Sequence, residues 1–182
     1  MARPSKKSAL LRAAARIVKR EGADALTLDA VAVEAGVSKG GLLYHFDSKE
    51  ALVKGLVEMM VEGFDEALDR DEDRSPGAFS RAYLRSTAET DEAALSVTYA
   101  LLAAVAIAPE SIEPLRERYR RWNKRLRDDG ISEETAFIVR LAADGLWLAD
   151  LLGLEPPKPK LRRAIVQRLL ELTREEQEVE SA

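Results

Sequence analysis

Apolar residues return every three or four positions along most of the chain, the spacing of one helix face. No stretch carries a strand signal, and no internal repeat is found. Leu10, Ala14, Ile17 and Val18 mark the inner side of a helix from about Ser5 to Glu21, ended by Gly22. Leu28, Val31, Ala32 and Ala35 mark a short second helix, and Leu42 and Phe46 a third from about Lys39 to His45. Leu52, Leu56, Met59, Met60 and Phe64 lie along a longer fourth, from about Ser48 to Leu68. The charged run DRDEDRSPG then breaks the pattern and ends in Pro-Gly. Further helices are expected over about residues 78–88, 92–107, 110–127, 133–152 and 160–173, with the acidic end frayed from Glu175. The chain reads as all-α with about nine helices: a three-helix head, residues 1–47, on a helical body, residues 48–182.

The helix faces differ in ways that suggest roles. Ile112, Leu115, Tyr119, Trp122 and Leu126 form one clean stripe, so the arginines between them face water. The helix over 133–152 is apolar nearly all round and must be buried on several sides. The last helix has two apolar edges, Leu161–Ile165–Leu169–Leu172 and Val166–Leu170. That is more apolar surface than one chain can cover, so these two helices are expected to pair with a second copy as a four-helix bundle. Gly145, Leu148, Leu151, Leu152, Ile165 and Leu169 are the expected contacts. Gly145 interrupts a strong helix former, which suits close approach of another helix, whether from a partner or from the same chain.

The stretch TLDAVAVEAGVSKGGLLYHFDSK, residues 27–49, carries the most specific signal. Thr27 and Ser38 are helix caps by residue type, each able to accept from an amide of the first turn. Gly36 between them can take the left-handed conformation that closes a helix, and Val37 follows as an apolar plug. Asp47 and Glu50 have capping-box spacing for the next helix. Two short helices about a glycine turn form a helix-turn-helix unit, whose second helix can enter the major groove of DNA. An ordinary αα-corner would use the same pattern. Gly40 and Gly41 argue against it, because each costs about 1 kcal/mol in a helix relative to Ala. Close approach to a phosphate backbone or base edge would favour them.

The run from Leu28 through Gly36-Val37-Ser38-Lys39-Gly40 to Tyr44-His45-Phe46 and Ser48-Lys49-Glu50-Ala51-Leu52 resembles the DNA-binding end of tetracycline-repressor-type (TetR) regulators. The resemblance covers roughly Ala9 to Leu52; beyond it the chain is similar only in being helical and of suitable length. It implies a dimeric, ligand-responsive transcription regulator, usually a repressor. On this reading the amide ends near Thr27 and Ser38 meet phosphates. Lys39, Gly41, Tyr44 and His45 lie at the groove, Gly40 lets the DNA approach closely, and Lys49 touches a phosphate. The family commonly has Tyr directly after the recognition-helix Leu, where it touches a phosphate; Leu43 takes that place here, so either the phosphate contact moves by one residue to Tyr44 or Tyr44 reads a base edge instead.

Charge supports this division. The chain is net −4, which by itself argues against nucleic-acid binding. Residues 1–49 hold nine Lys or Arg against five Asp or Glu, whereas the remainder holds 19 against 27. A basic head on an acidic body concentrates phosphate attraction at one end. Arg3, Lys6 and Lys7 are expected as a flexible basic arm. Cysteine is absent, the only His is His45, and no phosphate-cradling loop or metal-ligand pair appears, so neither an enzyme nor a cofactor or metal site is expected. The N-terminus lacks a secretory pattern, and the apolar run 93–108 is too short to span a bilayer. The protein therefore reads as cytoplasmic, with no membrane partner. Met59, Met60, Phe64, Tyr83, Thr87, Tyr99, Trp122 and Trp147 are candidates to line a pocket for a small, mostly apolar inducer, with Thr98 or Asn123 adding polar contacts. Met and aromatic residues at helical spacing also serve as plain core. Asp144 could meet a cation, or pair with Arg140 one turn before it. The alternative to a regulator is a helical scaffold or adaptor that does not bind DNA.

Overall fold

The computed structural model describes residues 5–88 and 108–180, with side chains as far as Arg174. The helix expected over 92–107, with Thr98 and Tyr99 in it, lies outside the described residues, as does Arg3. The described residues form α1 (Lys6–Glu21), α2 (Leu28–Ala35), α3 (Lys39–Leu43), α4 (Lys49–Asp69), α5 (Ala78–Ala88), α6 (Glu113–Arg127), α7 (Glu133–Leu152) and α8 (Pro159–Glu180). Short 3-10 turns cover Ala23–Ala25 and Pro109–Ile112, and no strand occurs among the described residues. The architecture is all-α.

Local chemistry explains where these helices begin and end. Thr27 Oγ1 accepts from the Ala30 amide and Ser38 Oγ from the Gly41 amide, each at 3.1 Å, so α2 and α3 start where their caps stand. Gly36 closes α2 in the left-handed region, with φ 68°. Ser132 caps α7 in the same way, through the Thr135 amide.

Several expectations are corrected. The cap of α4 is Ser48, whose Oγ accepts from the Ala51 amide at 3.0 Å; Asp47 is not the cap and no capping box forms. α3 ends at Leu43, two residues early, because the His45 and Phe46 amides both turn back to the Leu42 carbonyl. Val37 stays 36% exposed, so it is only partly covered. Lys6 and Lys7 belong to α1 rather than to a loose arm; Lys7 reaches Glu58 at 3.8 Å. The segment from Pro109 to Ile112 is a 3-10 turn, so the α-helix behind it starts at Glu113. The last helix continues past Glu175 to Glu180.

The described residues divide into two compact units, residues 5–63 with 108–118, and residues 64–88 with 119–180. In the first, Leu10, Leu11, Ile17, Val18, Leu26, Val31, Leu42, Phe46, Leu52 and Leu56 form a closed core. Helix α4 passes close to its floor at Gly55, where a Cβ would stand 2.8 Å from the Phe46 ring. In the second, α5 packs on α7 and α8, and α7 on α8. Its core holds Phe79, Tyr83, Leu84, Trp122, Leu126, Val139 and Leu146. The start of α5 is capped from 50 residues away: the Asp129 carboxylate accepts from the Phe79 and Ser80 amides at 2.8 Å and from Ser80 Oγ at 2.6 Å.

Candidate nucleic-acid interface and the core of the body

The caps of α2 and α3 use one lone pair of each hydroxyl and leave Thr27 and Ser38 exposed. Three consecutive residues of α3, Lys39, Gly40 and Gly41, are exposed, and the helix buries only Leu42. A Cβ at Gly40 would meet no neighbour within 4 Å among the described residues, so neither packing there nor backbone conformation demands glycine. Tyr44 is 85% exposed, far more than an aromatic ring held only for folding. Its ring meets His45 edge-on at 5.0 Å, and His45 is half-buried. Leu43 is 39% exposed, and Lys49 is half-buried at the first turn of α4. The residues expected at DNA thus cluster about one turn and one short helix.

Two acidic residues of the head escape a reading by local spacing. The Asp29 carboxylate, in the first turn of α2, holds Lys39 Nζ at 2.9 Å. Glu34 accepts from Arg16 Nε at 2.8 Å and from Arg20 Nη2 at 3.2 Å, tying α1 to α2. Hydrogen bonds from Arg16 and Arg20 hold its carboxyl below the usual carboxylate range.

In the second unit, Phe64, Tyr83 and Trp122 come together. Phe64 meets Tyr83 at 5.2 Å and Trp122 at 5.0 Å, edge to face, and Tyr119 meets Trp122 at 5.1 Å. Tyr83 and Trp122 are 2% and 4% exposed, so these rings fill the core as well as facing one another. Trp122 Nε1 donates to Asp65 at 2.7 Å. Thr87 turns its hydroxyl back to the Tyr83 carbonyl. Trp147 is half-buried on α7 and makes no ring contact with the cluster among the described residues. Met59, half-buried, and Met60, buried, belong to the first unit.

The polar centre of this unit is Asp144. Its Oδ1 accepts from Tyr83 Oη at 2.7 Å and Tyr119 Oη at 3.1 Å, and its Oδ2 from Arg140 at 3.0 Å. Burial pushes the Asp144 carboxyl up, against the Tyr83 hydroxyl and the Arg140 charge, which pull it down. Burial also pushes Tyr83 up, and carries Tyr119, beside the same carboxylate, to about 12. Arg140 therefore answers Asp144 within the chain. Two buried polar atoms find no hydrogen-bond partner among the described residues: Arg140 Nε and Asn123 Oδ1.

Of the expected partner-facing residues, Gly145, Leu148 and Leu152 are exposed, and Leu151 and Ile165 are half-buried. Leu169 is 7% exposed in the single chain. Ile138 and Leu141, at 53% and 58%, extend the exposed apolar line of α7.

A capped helix, a left-handed glycine turn and a short exposed second helix define a DNA-binding helix-turn-helix protein. The model of bacterial regulatory proteins of the tetR family matches residues 10–56, and that of the tetracyclin repressor-like C-terminal domain matches residues 77–174. The chain belongs to the TetR family of transcription regulators. No curated protein matches it significantly. Among solved structures, it is similar to a TetR-family regulator from Rhodococcus sp., at TM-score 0.71 and 19% identity over 92% of this chain and 98% of that one. A TetR-family member from Streptomyces coelicolor A3 gives 0.69 and 24% over 91% and 98%. The multidrug binding protein EbrR, complexed with ethidium, gives 0.67 and 24% over 91% and 98%. Such likenesses are of fold. Regulators of this family are typically non-enzymatic, DNA-binding and ligand-responsive, and no helix among the described residues is long and apolar enough to cross a membrane.

Proposed function

We propose that the protein is a cytoplasmic repressor that binds an inverted-repeat operator as a homodimer and is released by a small, mostly apolar inducer. The observation that carries the DNA half is α3: Lys39, Gly40 and Gly41 stand exposed in a helix that buries only Leu42, and Tyr44 stands exposed directly after it. A helix this short reads few base pairs, so two copies about a two-fold axis supply the rest, with half-sites about one helical turn apart or a multiple of it. Lys39, Gly41, Tyr44 and His45 contact the groove; Thr27, Ser38, Gly40 and Lys49 lie along the backbone. The chemistry is binding alone, with no catalytic role for His45.

The dimer reading is supported by α7. Leu141, Gly145, Leu148 and Leu152 follow one another at helical spacing and are all exposed, and among the described residues nothing outside the helix's own backbone approaches the Cβ position of Gly145 within 4 Å. A partner helix fits that open line, with Leu151 and Ile165 at its margins. Leu169, already buried, seats α8 in its own protomer.

For the inducer, the supporting observations are the aromatic cluster of the second unit, with Arg140 over the Tyr119 ring, and two buried atoms, Arg140 Nε and Asn123 Oδ1, that find no partner among the described residues. Buried polar groups of this kind call for an acceptor and a donor. A planar aromatic molecule with polar substituents is the class to try first, as EbrR is complexed with ethidium. Such a ligand works as an inducer by binding the DNA-incompetent state more tightly than the competent one. The test is fluorescence anisotropy of a labelled duplex with purified protein, against salt and then against a panel of aromatic compounds. Steep loss of binding with salt, retained preference for one sequence, and release by at least one compound are expected. Binding that ignores both salt and sequence contradicts the reading.

A further inference from the structure

Lys39 opens α3, and its ammonium meets both oxygens of Asp29, at 2.9 and 3.0 Å. Both side chains are mostly exposed, at 59% and 69%. An exposed pair of this kind contributes about 0–1 kcal/mol to folding, and α2 and α3 already pack on each other, with Val31, Ala32 and Leu42 buried. Stability therefore gives little reason for it. For a DNA-binding surface a carboxylate here is costly. It sits two residues after the Thr27 cap and touches the first residue of α3, beside the two helix N-termini that present amides to phosphates.

We propose that Asp29 is a specificity-determining residue, which positions Lys39 for a base edge and denies it to the backbone. A lone lysine is a point charge on a flexible stem and is satisfied by any phosphate. Held by Asp29, Lys39 reaches a phosphate only by breaking the pair and leaving the carboxylate unpaired against the polyanion. A guanine edge offers the O6 and N7 acceptors to the ammonium's remaining protons while the pair persists. The free lone pairs of Asp29 then accept from an exocyclic amine beside it, such as cytosine N4. The pair converts general phosphate attraction into base preference. This rests on the DNA-binding reading above.

The experiment uses the full chain and its selected operator, with a scrambled duplex of the same length as control. Wild type is compared with Asp29→Asn, Asp29→Ala and Asp29→Glu across a salt series. Asp29→Asn and Asp29→Ala are expected to bind scrambled DNA several-fold more tightly, with a salt slope steeper by about one. The ratio of operator to scrambled affinity should fall about tenfold, with the loss confined to one base-pair position per half-site. Asp29→Glu, which keeps the carboxylate, should restore most of the ratio. Thermal melting within a degree or two of wild type, as suits an exposed site, excludes a folding defect. An equal gain on both duplexes makes Asp29 a plain repeller and overturns the proposal, as does no change on either. A wild type with no operator preference overturns both the proposal and the regulator reading beneath it.

Discussion

The head and the second unit use the same ion-pair chemistry to opposite ends. In the head, Lys39–Asp29 and Arg16–Glu34 lie at the surface, with the basic partner more than half exposed in each. In the second unit, Arg81 is 2% exposed and makes five hydrogen bonds, two to Asp73 and one each to Ser75, the Pro76 carbonyl and Thr173. Surface pairs add little to stability and leave their charges in reach of a partner; a buried, saturated arginine fixes the loop before α5 to α8 in one arrangement. The charges that do most for the fold are therefore not the ones available for binding.

Removing Arg81 sets that contrast at its sharpest. Arg81→Ala leaves Asp73 without its charged partner and opens space between α5 and α8, and should cost about 3–5 kcal/mol of stability by denaturant unfolding. A cost under about 1 kcal/mol would erase the distinction between the two regions. Lys39→Ala should do the reverse. Stability should stay within about 0.5 kcal/mol while operator affinity falls by about 1–3 kcal/mol, with relaxed specificity at one position. A uniform loss across all sequences would make Lys39 a backbone contact instead. Gly40→Ala should stabilise the protein by up to about 1 kcal/mol, since the site is helical and open, and should weaken operator binding through the added methyl. A variant that is more stable and binds equally well would remove Gly40 from the interface.

The smallest expected effect is on pH dependence, where two carboxyls of the second unit act oppositely. Asp73 is held well below the usual range by Ser75 and Arg81. Its contribution is present above its unfolded value near 4 and is lost as pH falls toward its folded value. Asp144 is raised by burial. The cost of its charge is relieved as pH falls through its raised value, so acidification there adds stability. Asp73→Asn should flatten the acid-side loss of melting temperature, and Asp144→Asn should abolish the mild gain before it. Identical melting curves against pH for the two variants would contradict this assignment.

The head was legible because its signals are local. Thr27, Gly36 and Ser38 act on residues three or four positions away, and each does what its type and spacing predict. The same reading slipped by one residue at the cap of α4, since Asp47 and Ser48 are adjacent acceptors and only backbone direction separates them. In the second unit the deciding contacts span long separations: Arg81 to Thr173, Asp129 to the start of α5, and Tyr83 to Asp144. Periodicity identifies such residues as inward or polar without saying which meet. Leu169 illustrates the limit for surfaces, because an apolar edge on a helix does not tell a seat in the same chain from a contact with a partner.

Selection of binding sites from random duplexes with the purified, full-length protein bears most directly on the account. Enrichment of an inverted repeat, with half-sites about one helical turn apart or a multiple of it, and its loss with Lys39→Ala, is the predicted result. Recovery of no common sequence, or of a single half-site without its inverted copy, would contradict the central claim that two copies of α3 read one operator.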